Sequence, residues 1–234
     1  MRIINNLLLV MVCFASHYAT ASISLSATRL IFDGKQNEAS INVKNDGGQD
    51  VMIQTWLESD AGSNQLPPFA ITPPLAKLKG GERQLLRALY QGHGLPQDKE
   101  SVFWLNVQEI PLAVKGQNVL QLALLQRIKV FYRPAGLTQD PATAPAWLGV
   151  KVNNGHIELH NPTSYHINMV EFKKDGHDID GKMIYPGKLL TLAMPAGMSD
   201  SGTFSINLVN DYGAVVSYSG KLEKGVSSAL ELNK

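Results

Sequence analysis

The chain has 234 residues, with 21 Lys and Arg against 20 Asp and Glu and a formal net charge of +1. That balance leaves no broad basic surface, which excludes a general nucleic-acid binder and an electrostatic membrane binder. Its one cysteine, Cys13, leaves the rest of the chain without a disulfide or a thiol mechanism.

Residues 1–21 read as an export signal. Met1-Arg2 supplies a positive start, residues 7–15 are almost wholly apolar, and Ala19-Thr20-Ala21 fits the small-x-small pattern of signal peptidase, so cleavage is expected after Ala21. The apolar run is too short to span a bilayer as a stable helix, and no other window approaches the needed length. A mature chain starting at Ser22 loses Arg2 and Cys13, leaving 20 basic against 20 acidic residues and no cysteine. The 213 residues that remain (234 less 21) suffice for two domains of ordinary size.

From Ser22 onward, short β-type runs are separated by turn residues, and little reads as helix. Residues 23–26 alternate, residues 28–32 precede a turn at Asp33-Gly34, and residues 39–45 alternate apolar and polar up to Asp46-Gly47-Gly48. Residues 51–58 predict a strand that offers Trp56 to a core. Residues 69–78 contain Thr72-Pro73-Pro74, which interrupts any central ladder and predicts an edge or a kink. Strands at 83–90 and 101–110 follow, and a short connection leads from Pro111 to a long apolar strand.

Seven strands with turn signals roughly 8–12 residues apart predict an immunoglobulin-like sandwich over residues 22–136. There is no Cys…Trp…Cys spacing, so it is not of the antibody type. Residues 137–145 carry Pro141 and Pro145 and read as a linker. Strands at 148–153, 156–160, 167–173, 189–194, 202–209 and 215–221 repeat the pattern, with turns at Asn154-Gly155, Asp175-Gly176, Asp180-Gly181 and Pro186-Gly187. This predicts a second sandwich over residues 146–234, with residues 225–234 as a weakly held tail. The fold class is all-β.

The run that organises the chain is Asn118-Val-Leu-Gln-Leu-Ala-Leu-Leu-Gln-Arg-Ile-Lys-Val-Phe-Tyr-Arg-Pro. Leu120, Leu122 and Leu124 alternate with Gln121 and Ala123, which on a strand forms a hydrophobic comb on one face. Residues 120–129 in one strand span roughly 30 Å, so the comb and Lys129 lie far apart on one rod. Ile128 and Val130 continue the apolar parity and Lys129 points the other way, unless a bulge near Leu125 and Gln126 changes the geometry. The rod reads as a binding surface for an extended chain. The competing reading makes the leucines ordinary core and a lone Lys or Arg a solvated surface charge.

Enzymatic signals are weak. His156 and His160 have the i, i+4 spacing that converges on a metal from a helix, but on a strand they stand about 13 Å apart. Gly197-Met-Ser-Asp-Ser departs from the nucleophile-elbow pattern at its last position, and Asp178-Ile-Asp180-Gly has too few spaced oxygen ligands for a calcium loop. No catalytic residue, metal or other cofactor is expected.

Thr28-Arg29-Leu30-Ile31-Phe32, Ile71-Thr-Pro-Pro-Leu, Leu95-Pro-Gln-Asp-Lys-Glu-Ser, Phe103-Trp-Leu-Asn-Val-Gln-Glu-Ile-Pro, Arg127-Ile-Lys-Val-Phe-Tyr-Arg-Pro, His160-Asn-Pro-Thr and Asn210-Asp-Tyr-Gly-Ala occur in that order. Together they resemble the periplasmic pilus-assembly chaperones of the chaperone/usher pathway across nearly all of the mature chain. The resemblance implies two immunoglobulin-like domains in an L-shaped arrangement and a periplasmic, ATP-independent chaperone. It implies that Arg29 and Lys129 anchor the C-terminal carboxylate of a pilus subunit, and that Leu120, Leu122 and Leu124 fill the groove of a subunit lacking its final strand by donor-strand complementation. It further implies an inter-domain ionic network of Glu100, Arg133 and Asp211, and delivery of subunits to an outer-membrane usher. Several relatives carry a disulfide in the second domain, which this chain cannot form. The short connection from Pro111 to Leu120 resembles the branch that serves rod-forming pili. An exposed apolar strand makes a self-capping homo-oligomer an expectation for the free protein. The alternative function is a secreted immunoglobulin-like adhesion or structural module, which would not need Arg29 and Lys129.

Overall fold

The structure, a computed structural model, describes residues 22–60, 66–111 and 122–233. The expected signal at 1–21, Leu120 and the connection before it lie outside the described residues. The first sandwich is built from β1 (Ile23–Leu25), β2 (Arg29–Asp33), β3 (Glu38–Asn45), β4 (Val51–Ser59), β5 (Phe69–Thr72), β6 (Leu75–Leu78), β7 (Arg83–Tyr90), β8 (Ser101–Pro111) and β9 (Leu125–Arg133). One sheet has the order β1-β3-β7-β5 and the other β2-β9-β8-β4-β6. Alternate residues of both, among them Phe32, Ile53, Leu86, Leu105 and Val130, meet in a fully buried core.

Two segments cross from one sheet to the other. Pro73 and Pro74 divide the predicted run 69–78, so that β5 pairs with β7 while β6 pairs with β4. Proline cannot donate to a ladder, and here the free carbonyls of Pro73 and Pro74 accept from the Thr55 hydroxyl and amide at 2.8 and 2.9 Å. Residues 26–28 make the other crossing, which places Arg29 as the first residue of β2 and lays β2 parallel to β9. Trp56 does not enter the core. Val51, Ile53 and Thr55 hold the inward parity of β4, so Trp56 faces outward and its indole donates to Glu58 at 2.8 Å.

The second sandwich comprises β10 (Gly149–Asn153), β11 (His156–His160), β12 (Ile167–Lys174), β13 (His177–Asp180), β14 (Met183–Ile184), β15 (Leu189–Ala193), β16 (Gly202–Val209), β17 (Val215–Glu223), β18 (Val226–Ser227) and β19 (Glu231–Leu232). They run β13-β12-β16-β17-β18-β10-β11-β15, with β14 on β12 and β19 on β17, around Ile157, Leu159, Phe172, Ile184 and Ile206. Asn154-Gly155 and Asp175-Gly176 close their hairpins with both residues at positive φ, the conformation for which glycine has no steric penalty.

Two segments differ from the sequence expectation. Residues 137–145, read as a linker, include the start of a 3-10 helix, Pro141–Trp147, whose first turn is capped by the Asp140 carboxylate and which buries Ala144. Residues 225–234, read as a weakly held tail, carry β18 and β19, both paired with β17, and Leu230 is buried in the core. A turn at Lys224-Gly225 folds this segment back, and of its apolar residues Val226, Ala229, Leu230 and Leu232 only Leu230 is buried, so no alternating apolar face marks β18 and β19 in the sequence.

Candidate functional site

Arg29 and Lys129 are register partners in the parallel β2 and β9 pair, so two cations stand side by side on the face turned toward the second domain. The Lys129 ammonium donates to Asn168 Oδ1 at 2.9 Å and lies 5.5 Å from the Trp104 ring centre. Trp104 is the register partner of Lys129 on β8, and its other cation is Arg127, 4.4 Å from the ring centre. Arg29 Nη1 donates to the Val209 carbonyl at 3.4 Å, and its Nε is buried without a hydrogen-bond partner. Neither cation forms an ion pair among the described residues; Asp211 acts on Arg29 and Asp60 on Lys129 at longer range. Burial lowers the pKa of both, and the charge of Arg29 lowers that of Lys129 further. The pair is a half-desolvated site of positive charge that an incoming anion would relieve.

Behind it, Arg133 joins both domains. Its Nε donates to Glu100 Oε1 at 2.7 Å, and its two Nη groups donate to the two oxygens of Asp211, each at 2.7 Å. Burial alone would lower the Arg133 pKa, but the hydrogen bonds to Asp211 and the charge of Glu100 outweigh it and hold it above the ordinary arginine value. The trio of Glu100, Arg133 and Asp211 that the resemblance implies is thus brought together. A fourth member, His166, was not foreseen: Glu100 Oε2 accepts from its backbone amide at 2.8 Å and lies 2.7 Å from its ring Nδ1. The Glu100 amide in turn donates to the Ser164 carbonyl at 2.8 Å. The buried Glu100 carboxylate is therefore fully occupied, as a charge at 3% exposure must be.

The loop of residues 210–214, between β16 and β17, supplies several of these contacts. Asn210 Oδ1 accepts from the amides of Tyr212 and Ala214, both at 3.0 Å, and the Asn210 amide donates to the Ala214 carbonyl at 2.9 Å. That rigid turn presents the Val209 carbonyl to Arg29, Asp211 to Arg133, and Gly213 to Thr28. A second latch crosses the cleft at Asp60, which accepts from Trp104 Nε1 at 3.0 Å and from the Tyr185 hydroxyl. His166, Asn168, Asp60 and Gly213 were missed because each acts across a domain boundary, and Trp104 because its partners Asp60, Arg127 and Lys129 come from distant parts of the first domain, neither of which periodicity or spacing encodes.

The comb meets the structure in part. Leu120 lies outside the described residues. Among the described residues of the strand expected over 120–129, β9 begins at Leu125, and its register against β8 runs without a bulge from Leu125 opposite Gln108 to Tyr132 opposite Ser101. Leu122 and Leu124 precede β9, 69% and 46% exposed, with the Leu124 carbonyl accepting from Glu109 at 2.9 Å. They share the parity of Ile128, Val130 and Tyr132, which face the core, while Lys129 and Arg133 occupy the other face. The ordinary-core reading of Leu122 and Leu124 is not met, since both are exposed. His156 and His160 sit at opposite ends of β11, both exposed, and no cluster of metal-ligating side chains occurs among the described residues.

Comparison with known proteins gives a consistent picture. Residues 22–138 match the family described as pili and flagellar-assembly chaperone, PapD N-terminal domain, and residues 143–220 match the pili assembly chaperone PapD, C-terminal domain. A probable fimbrial chaperone LpfB of Escherichia coli O157:H7 is 40% identical over 197 residues, covering 82% of this chain and 84% of its own. The chaperone protein LpfB of Salmonella typhimurium is 36% identical over 220 residues, covering 91% and 94%. Among solved structures, the YadV chaperone is 30% identical, with a TM-score of 0.74 over 86% of this chain and 100% of that one.

Proposed function

The chain belongs to the pili and flagellar-assembly chaperone family, and from that premise we propose that it captures pilus subunits in the periplasm and passes them to an outer-membrane usher. Its general role is non-enzymatic, a chaperone of pilus assembly. The finer reading is donor-strand complementation, with Arg29 and Lys129 as the carboxylate anchor and Leu120, Leu122 and Leu124 as the groove-filling residues.

The observation that carries this reading is the position of β2 along β9. β2 pairs with residues 129–133 of β9 only, so the same edge of β9 before Lys129 has no strand on it among the described residues. A client strand laid on that edge lies end to end with β2 and meets the Arg29 and Lys129 pair at its tip. If the tip is a C-terminal carboxylate, the client runs in the same direction as β2, and therefore parallel to β9. The ion pair then sets the register, because a client slipped by one residue would present its opposite face to the comb. Three leucines buried at about 1.5–3 kcal/mol each contribute on the order of 5–9 kcal/mol before ordering costs. No nucleotide is required for such capture, and free molecules would cover the same leucines by pairing with one another.

The test is co-expression of the mature chain with a candidate pilus subunit in the periplasm, followed by pull-down of wild type beside Lys129→Ala and Arg29→Ala. The expected result is a one-to-one complex with wild type that is lost in both variants while they remain folded. Capture by both variants at wild-type yield overturns the anchor.

A further inference from the structure

Beside the cleft, on the side of the second domain, lies a cavity of about 250 Å³ that capture of an extended chain does not use. Its walls are mostly apolar: Ala144 from the 3-10 helix, Leu208 and Val216 from β16 and β17, and the rings of Tyr165 and Tyr218. An engineered apolar cavity of ~150 Å³ takes up benzene, so this volume suits a molecule of one or two rings. The charged groups in its lining, Arg133 and Asp211, already pair with each other, and Arg133 is held by Glu100 as well. A second anion would gain little there and would have to be desolvated, whereas a neutral aromatic molecule meets a mostly apolar wall that includes aromatic residues.

The cavity wall also carries the groups that hold the two cations. Asn168, which accepts from Lys129, and Val209, whose carbonyl accepts from Arg29, both line it. We propose that this cavity is a binding site for a small neutral aromatic molecule of one or two rings, and that its occupancy is felt at Arg29 and Lys129 through Val209 and Asn168. The coupling to subunit capture rests on the function proposed above; the binding itself does not.

The probe is indole, titrated into the full mature chain without any pilus subunit and followed by two-dimensional NMR. Saturable one-to-one binding is expected with a dissociation constant at or below about 1 mM, an affinity that nine heavy atoms support at ordinary ligand efficiency. Intermolecular NOEs to the Leu208 and Val216 methyl groups and shifts of the Val209 and Asn168 amides should accompany it. Filling the cavity with Val216→Phe or Ala144→Leu should weaken binding at least tenfold, and benzoate, of similar size but charged, should bind at least tenfold more weakly than indole. Absence of saturable binding, NOEs confined to other residues, or equal affinity in a folded filled variant overturns the proposal. The NOEs decide the case if neither variant folds. Because no client is present, loss of the capture reading would leave this outcome unchanged.

Discussion

Gly213 of the second domain approaches Thr28 of the first so closely that a Cβ added to it would stand 2.2 Å from the Thr28 hydroxyl oxygen. Its φ of +84° is a second reason for glycine at this position. Thr28 precedes Arg29, so the contact governs how the anchor strand begins. Gly213→Ala is expected to cost about 1–3 kcal/mol and to widen the separation of the domains, with the Arg29 contact to Val209 lost. Urea unfolding gives the first quantity and small-angle scattering the second; unchanged values of both would show that the loop yields without effect.

Arg133 is the group on which both domains converge. Arg133→Ala leaves the buried Glu100 carboxylate with the ring and backbone amide of His166 as its remaining partners, and should destabilise the fold by about 3–5 kcal/mol. Much of that penalty comes from the charge left behind and not from the lost attraction. The double variant Arg133→Ala, Glu100→Gln should therefore recover part of it, and denaturant unfolding of the four members of the cycle measures how much.

The sandwiches were legible because period-two alternation and Asn-Gly or Asp-Gly turns are local signals, as at β3 and the β10 and β11 hairpin. The trio of Glu100, Arg133 and Asp211 and the pairing of Arg29 with Lys129 were reached through a family resemblance, since no spacing along the chain brings residues 100 apart into register. His166 and Gly213 escaped even that route, one being a lone histidine after a turn and the other a glycine whose close contact is with another domain. Leu230 was hidden for a different reason. It lies among Val226, Ala229 and Leu232, which stay exposed, so the apolar pattern does not single out the one residue that reaches the core.

The latch between Tyr185 and Asp60 has its own pH signature. Burial raises the Tyr185 phenol first, and the hydrogen bond to Asp60 raises it further, to about 12 against an ordinary 10.0. Folding thus favours the protonated phenol. Its contribution to stability is complete below pH about 10 and disappears as pH rises through about 12. The contribution is small, because Tyr185 is 40% exposed. The difference in tyrosinate absorbance between wild type and Tyr185→Phe should titrate near pH 12, and Asp60→Asn should bring it back toward 10.

The exposed leucines before and at the start of β9 provide the sharpest test of how a client is engaged. Leu122, Leu124 and Leu125 are all exposed, yet only the first two share the parity that continues into Ile128 and Val130. If the even-numbered side chains enter the client groove, Leu122→Glu forces an unpaired carboxylate into an apolar slot and should abolish capture. Leu125→Glu places the same charge on the opposite face and should leave capture within about twofold of wild type, since an exposed substitution seldom changes an interaction by more than about 0.5 kcal/mol. Pull-down yields of the two variants with one client separate parity from mere hydrophobicity. Equal loss in both would mean that the apolar patch as a whole, and not one face of the strand, makes the contact.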